Sequence, residues 1–454
     1  MAIGAQSPFP DVRRSHIFRI IVVGVLVLVL QIPILMIDGL IRERQQRRAE
    51  AVEEVASKWG RQQAVTGPAL VVPYVHRWTE ETSKGRRIEQ RETRYATFLP
   101  ERLAFRGRLE AEARRRGIFS VPVYRASLQA QGSFARPRFT EWGVDERDVD
   151  WGRAQLAIGV SDTRAVRAPT SLQWNGAPVE MLPGTGRFSG SSTGVHAEVA
   201  VPPGVPRIGF SFPLEFQGSA GAYWTPLGKT TGVRLASNWR SPSFQGNWLP
   251  LRHSVSPRGF EAEWGVAYLG RNFPQSWRDD AVTRETIEAS RFGVDLIATV
   301  DHYRMAGRSV KYAGLFLLLT FATVWLVEVL CAMQVHPIQY LLLGGALCVF
   351  YLLELSLSEH LGFGRAYLLA TLAVVAQVGG YTAAVLRSRG RAAIVAGMVA
   401  ALYGYLYVLL NNEDYALLIG SLGVFAILAA IMYLTRRVDW YASGPARQGP
   451  AGSE

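Results

Sequence analysis

Three carboxylates lie within or at the end of apolar stretches that are long enough to cross a membrane. Glu328 lies near the end of one stretch, Glu354 lies inside the next, and Glu359 closes that stretch beside His360. An ionised group at the bilayer centre costs about 2.5–3.5 kcal/mol on insertion scales, so such groups usually mark functional sites or pair with a neighbouring helix. These carboxylates are therefore the first candidates for function.

The position of a carboxylate along its span indicates which groups it can meet. Glu354 follows Ile338 by a distance of about 24 Å along a helix, close to the outer face of a core about 30 Å thick. There we expect it to snorkel to water or to pair with a neighbouring helix. The same level is predicted to hold a mouth cluster, in which Arg308 and Lys311 reach lipid headgroups. Its members are Asp301, His302, Arg308, Lys311, Ser358, Glu359 and His360.

Glu328 lies at the inner ends of two consecutive spans, and with His336 and Gln339 it forms a second set of candidate residues. Pro337 begins the following span at a position that tolerates a missing N–H. The turn is short, so Glu328 can accept a hydrogen bond from the Gln339 amide or from the Tyr340 hydroxyl. A functional role and a purely structural hydrogen bond both remain open for Glu328.

Six apolar stretches are each close to the roughly 20 residues that a transmembrane helix needs. They are Ile17–Ile37, Ala313–Met333, Ile338–Leu357, Ala366–Leu386, Ala392–Leu410 and Ala416–Leu434. The first could be a cleaved signal peptide, but it is long for one and no small-x-small cleavage site follows it. We therefore predict a retained anchor, a large domain, and five closely spaced spans.

Arginines in the short loops predict the orientation. "RSRGR" (387–391) joins the fourth and fifth spans, and Arg436 and Arg437 follow the sixth. Because cytoplasmic loops carry the excess of Arg and Lys, both termini are predicted to be cytoplasmic, and residues 40–310 to lie outside. The predicted segments are an N-terminus with anchor (1–37), a juxtamembrane helix (38–60), a periplasmic domain (61–312), a five-span bundle (313–434) and a cytoplasmic tail (435–454).

The large domain carries the pattern of a β structure. Apolar and polar residues alternate in many short stretches that Gly, Pro, Asn and Ser separate, without helical patterns between them. This predicts a large antiparallel, sandwich-like β domain. Residues 183–205 are rich in Gly, Ser and Pro and are predicted to form a loop. The fold class is thus a mixed membrane protein with an anchor helix, a β-rich domain and a helical bundle.

Charge and cysteine content restrict the partners and cofactors. The formal net charge is +12, but an exported domain rarely meets nucleic acid, so membrane lipids, an envelope glycan or a protein partner are the expected partners. The only cysteines are Cys331 and Cys348, both in predicted spans. We therefore expect no disulfide and no cysteine-based metal site in the domain, and no cofactor.

Two short motifs resemble catalytic signatures without their structural context. "GSSTG" (190–194) has the spacing of a nucleophile elbow around Ser192, but that motif needs a strand before it and a helix after it. "PLGKTT" (226–231) lacks the first glycine of a phosphate-binding loop. An envelope hydrolase therefore remains only an alternative, and we predict no catalytic residues.

Over nearly its whole length the chain resembles the CreD family of inner-membrane proteins. The segments that carry the resemblance are 67–74, 99–103 ("LPERL"), 115–134, 159–164, 226–231, 241–250, 268–277 ("YLGRNFPQSW"), 308–321, 336–347, 350–360 and 366–370. The resemblance implies an inner-membrane protein of Gram-negative bacteria, linked to envelope integrity and stress responses, with a large periplasmic domain. It implies no specific reaction.

The chain departs from the family pattern at two places. The family has a His between Trp239 and "PSF", where this chain has Arg240 and Ser241, so a ligand or catalytic role at that position is not expected. Glu354 stands where the family tends to have an apolar residue, whereas Glu328, Glu359 and His360 fit the pattern.

These observations together favour a non-enzymatic protein of envelope maintenance whose periplasmic domain binds an envelope component or a partner. The first alternative is a transporter or lipid-handling protein that uses Glu328 and the mouth residues Ser358, Glu359 and His360.

The predicted orientation can be tested with reporters that are active only in the periplasm. We expect activity for fusions within 40–310 or after Asp414, and silence for fusions after Arg389 or Arg437, because the arginine loops stay cytoplasmic. Activity of the Arg389 fusion would contradict the six-span topology.

Overall fold

The computed structural model describes residues 16–81, 87–167, 171–297, 302–330 and 335–436. The chain forms two compact units. We call residues 1–47 with 300–454 the membrane unit, and residues 48–299 the β domain. Asp301, Cys331 and Arg437, which the sequence analysis names, lie outside the described residues.

Helices make up the membrane unit and occur twice in the β domain. Their bounds are α1 His16–Trp59, α2 Arg284–Glu288, α3 His302–Lys311, α4 Ala313–Leu330, α5 Pro337–Leu361, α6 Phe363–Val385, α7 Arg389–Asn411 and α8 Ala416–Thr435. α2 and the last part of α1 belong to the β domain, and the remaining helices belong to the membrane unit.

Helix α1 joins the predicted anchor and the predicted juxtamembrane helix into one element of 44 residues. Beyond the apolar part, ion pairs at helical spacing support it, between Asp38 and Arg42, and between Lys58 and Glu54 at 2.8 Å. Each such pair contributes only about 0.3–0.5 kcal/mol on a helix surface. Strong helix formers such as Glu, Arg and Ala account for the rest of its continuity.

Among the described residues, five helices are individually long and apolar enough to cross a membrane: α1, α5, α6, α7 and α8. The helices α3 and α4 pass the same test only as a pair, which bends by 46° between Lys311 and Ala313. Counting that pair as one span gives six, which agrees with the number of apolar stretches in the sequence. The bend places the amphipathic α3 within the membrane unit, although its residues lie in the predicted 61–312 segment.

Strands form the β domain, and the described residues arrange them in two sheets. Their bounds are β1 Gln63–Glu81, β2 Arg87–Phe98, β3 Arg102–Arg116, β4 Phe119–Ala135, β5 Ala154–Val160, β6 Ser171–Trp174, β7 Ala177–Glu180, β8 Leu182–Pro183, β9 Gly194–Val199, β10 Arg207–Ser219, β11 Gly221–Trp224, β12 Thr230–Ser237, β13 Pro242–Gly246, β14 Arg252–Ser256, β15 Gly259–Ala267, β16 Ser276–Arg278 and β17 Phe292–Leu296.

The strand order defines sheet I and sheet II. Sheet I runs β13-β17-β11-β1-β5-β9-β8, with β2 pairing with β1 and β16 pairing with β2. Sheet II runs β14-β15-β12-β3-β4-β10-β6-β7. The pairs are antiparallel, as predicted, except that β1 runs parallel to β11 and β3 runs parallel to β12. Residue alternation fixes which face is buried and leaves the direction of pairing open, so the parallel pairs were not foreseen.

The predicted loop at 183–205 is wrong in its second half. Residues Gly194–Val199 form β9, which pairs with β5 and β8. The "VHAEV" segment has the alternation of a strand, and the glycines and prolines around it obscured that signal. Gly194 therefore begins a strand, so no helix follows "GSSTG", and the exposed Ser192 does not lie at a strand-to-helix turn.

Both sheets contribute their inner faces to one hydrophobic core, as in a sandwich. Strand β10 shows the pattern clearly as far as Phe216, because every second residue up to that point is buried. They are Ile208, Phe210, Phe212, Leu214 and Phe216. Trp224 of sheet I and Trp264 of sheet II are among the largest fully buried side chains.

A buried arginine joins three of the segments in which the chain passes from one sheet to the other. Arg271, 7% exposed, lies between β15 of sheet II and β16 of sheet I. Its guanidinium donates to the carbonyl oxygen of Pro226 at 2.9 Å and to that of Leu227, both between β11 and β12. It also donates to Gln275, whose amide donates to the carbonyl oxygens of Leu99 and Pro100, between β2 and β3. Burial lowers the pKa of Arg271 to about 10, so it remains charged at neutral pH.

Replacing this guanidinium by an ammonium group should destabilise the β domain. We expect Arg271→Lys to lower the free energy of unfolding by about 1.5–3 kcal/mol, because hydrogen bonds from a charged donor are lost and buried carbonyl oxygens lose their donor. Denaturant titration of the full-length protein in detergent, followed by tryptophan fluorescence, measures this. The control Arg240→Lys changes an exposed arginine and should stay within about 0.5 kcal/mol of the parent. Equal stability of the two variants would contradict the role of Arg271.

Candidate functional site

Glu328 is enclosed at the turn between α4 and α5. Its side chain is 2% exposed. The backbone N–H of Val335 donates to Oε1 at 3.0 Å, and the Tyr340 hydroxyl donates to Oε2 at 2.9 Å. The structure therefore confirms the predicted hydrogen bond from Tyr340. Glu328 links the end of α4 to the start of α5 across the turn.

His336 and Gln339 form the N-terminal cap of α5. The Gln339 Oε1 atom accepts from the backbone N–H of His336 at 2.9 Å, and the His336 Nδ1 atom accepts from that of Ile338 at 3.3 Å. This reciprocal arrangement is a capping box, which satisfies backbone donors at a helix start. The Gln339 side chain therefore supports the helix end, and of the two predicted donors to Glu328 the structure shows Tyr340.

Glu359 joins three helices of the membrane unit. The Tyr303 hydroxyl of α3 donates to its Oε1 atom at 2.9 Å, and the Arg44 Nε atom of α1 lies 3.8 Å from the same oxygen. His302 packs its ring against Tyr303, with 5.5 Å between the ring centroids. The neighbouring His360 is exposed. Of the predicted mouth cluster, His302 and Glu359 are thus brought together through Tyr303.

The remaining mouth residues lie in different surroundings. The Arg308 guanidinium lies 3.2 Å from Glu413, in the acidic connection between α7 and α8, so it has a protein partner besides any headgroup. Lys311 is exposed. Ser358 is buried, and its hydroxyl donates to the Leu355 carbonyl oxygen of its own helix at 2.8 Å. These three residues therefore do not form one site.

Glu354 is fully enclosed by the membrane unit, at 0% exposure. The Ser309 hydroxyl of α3 donates to its Oε2 atom at 2.8 Å. The expectation of a snorkelling carboxylate is therefore wrong, because the bend between α3 and α4 brings α3 over this part of α5. Helix pairing, the other expectation, is what the structure shows.

The outer face of sheet II carries an open groove with a volume of about 1260 Å³. Small residues lie side by side along its floor, because Gly232 pairs with Gly265 in β15 and with Ala104 in β3. A Cβ atom added at Gly232 would meet no atom closer than 3.9 Å, and one at Gly209 would meet none within 4 Å. The space above Gly232 and Gly209 is therefore open.

Polar side chains border this groove. The hydroxyl and amide groups belong to Gln131, Gln173, Asn175, Ser211 and Thr230, while Arg102 adds a positive charge and Glu263 a negative one. Such groups form hydrogen bonds with sugar hydroxyls and amides. The strand patterns alone did not predict this site. The outward glycines within two of them are nevertheless typical of places where another molecule approaches closely.

A smaller, polar cavity of about 220 Å³ lies on sheet I. Its wall contains Asp150, Arg153 and Glu198, together with Arg187, whose guanidinium lies 4.9 Å from the centre of the Tyr95 ring. Burial raises the pKa of Tyr74 at this cavity. Among the described residues, no group of three or more His, Cys, Asp or Glu side chains could hold a metal ion.

Comparisons with known proteins give one consistent result. A family model described as "Inner membrane protein CreD" matches residues 15–441. The protein named "Inner membrane protein CreD" of Escherichia coli (strain K12) is 32% identical to this chain over 420 residues, which cover 92% of each chain.

The role of the Glu328 charge can be separated from its role in packing. We expect Glu328→Gln to insert and accumulate normally, because hydrogen bonds between membrane helices contribute only about 0.6 kcal/mol on average. Protein abundance and rescue of an envelope-stress phenotype are measured together. Tyr340→Phe is the matched control, since it removes the hydrogen bond between Tyr340 and Glu328 and keeps the carboxylate. Loss of rescue in Glu328→Gln alone would show that the charge is required, and full rescue by Glu328→Gln would exclude a functional charge.

Proposed function

Since the chain belongs to the CreD family of inner membrane proteins, we propose that it serves envelope integrity as a non-enzymatic binding protein. It is a multi-pass protein of the inner membrane, with several helices that are long and apolar enough to span it. In this proposal the β domain lies in the periplasm and binds an envelope component. The arginines of the short loops support that orientation.

The groove on sheet II is the observation that carries the proposal. Its volume of about 1260 Å³ and its open form suit a segment of a polymer better than an enclosed small molecule. The amides and hydroxyls at its border suit a ligand rich in hydroxyl and amide groups. We therefore propose that a glycan strand of the cell wall lies across the outer face of sheet II.

Transport or lipid handling by the membrane unit is a second candidate function. The observation that favours it is the presence of two carboxylates, Glu328 and Glu354, that are 2% exposed or less within apolar helices. Ionisable groups in such positions often lie on proton or substrate pathways. Substrate flux in reconstituted vesicles that is unchanged in Glu328→Gln would argue against this candidate.

Filling the groove should weaken glycan binding. We expect Gly232→Leu to weaken binding at least about tenfold, equivalent to about 1.4 kcal/mol, because the new side chain occupies the open space above the floor. Titration calorimetry of the full-length protein in lipid nanodiscs, with soluble cell-wall glycan fragments, measures the affinity.

The matched control is Ser127→Leu, which adds similar bulk to an exposed position of β4 outside the groove. It should bind as the parent protein does. Equal affinity of the two variants, or no glycan binding by the parent, would contradict the proposed function.

A further inference from the structure

The Glu354 carboxyl group is buried with a single hydrogen-bond donor. Ser309 Oγ donates to Oε2, and Oε1 has no hydrogen-bond partner among the described residues. An ionised carboxylate offers about four acceptor sites. Taking it out of water without filling them is strongly unfavourable, and a group in this position tends to neutralise itself instead.

The surrounding helices bring no cation to Glu354 in the described structure. Arg308 is paired with Glu413, and Arg44 lies near Glu359. Lys311 and Arg365 are exposed. The other titratable groups on α3, α5, α6 and α7 around this level are His302, Tyr303, Arg304, Cys348, Tyr351, Glu359, His360, Tyr367, Tyr403 and Tyr407. Of these, Arg304 lies 3.6 Å from Glu413. The neutral side chains among them do not compensate a negative charge, and Glu359 and His360 have the surroundings described above.

A second polar atom beside Glu354 also has no partner. Tyr351 lies three residues earlier on α5, and residues at this spacing share one face of a helix. Its hydroxyl is buried and has no hydrogen-bond partner among the described residues. By contrast, the Tyr367 hydroxyl donates to the Tyr403 carbonyl oxygen at 2.6 Å. Glu354 and Tyr351 thus each bury a polar atom that has no hydrogen-bond partner among the described residues.

We propose that Glu354 is a proton-binding site of the membrane unit. Hydronium transfers its proton to Oε1, which forms the neutral carboxylic acid and releases water. The neutral acid removes the uncompensated charge, while Oε2 keeps the hydrogen bond from Ser309. This inference is independent of glycan binding by the β domain, and it gives the bundle a group that can carry a proton within the membrane.

Infrared spectroscopy of the full-length protein in lipid nanodiscs at neutral pH tests the proposal directly. The C=O stretch of a protonated carboxyl group is distinct from the bands of a carboxylate. We expect one such band in the parent protein, its loss in Glu354→Gln, and its retention in Glu359→Gln. The last variant changes another carboxylate of α5, which has Arg44 of α1 nearby. Superimposable spectra of the parent and Glu354→Gln in this region would overturn the proposal.

A second variant covers the case in which Glu354→Gln does not fold. Ser309→Ala removes the hydroxyl that donates to Oε2 and keeps the carboxyl group. The C=O band should persist and move to higher frequency, because the carbonyl oxygen has lost its hydrogen bond. An unchanged spectrum of Ser309→Ala would overturn the proposal.

Discussion

The β domain depends on one buried guanidinium group. Arg271 and its partner Gln275 hold together three of the segments that carry the chain between sheet I and sheet II, namely 99–101, 226–229 and 268–275. A planar group with five donors can satisfy several carbonyl oxygens at once, which a lysine cannot do. The relative position of the two sheets is thereby fixed at one edge, and the inner faces can share one core. Three of the segments that carry the family resemblance meet at this arginine.

The membrane unit handles its buried carboxylates in three different ways. Glu328 is satisfied by a backbone N–H and a tyrosine hydroxyl, and Glu359 by a tyrosine hydroxyl with an arginine nearby. Glu354 has only a serine hydroxyl. A carboxylate with complete hydrogen bonds stabilises a fixed packing, whereas one with incomplete hydrogen bonds is sensitive to protonation. Of the three carboxylates, Glu354 therefore has the least compensated environment.

The sequence was sufficient for those features that periodicity and local chemistry determine. Apolar length predicted the spans, and alternation predicted the sandwich. The short turn predicted a hydrogen bond to Glu328 from Gln339 or Tyr340, of which the structure shows the second. The sequence was insufficient where distant residues meet. The pairing of Ser309 with Glu354 needs the bend between α3 and α4, and the groove needs Gly232 and Gly265 to become neighbours across two strands. Arg271 showed no sequence signal, because an isolated arginine in a loop is usually solvated.

The parallel pairing of β1 with β11 has a consequence for biosynthesis. Gln63 is opposite Ala222, and β11 itself pairs with β17, which ends at Leu296. Sheet I therefore cannot be completed until almost the whole domain has emerged from the ribosome or the secretion channel. Until then its apolar strands have unpaired edges, which are prone to aggregation. Such non-local pairing makes the folding of the domain slow.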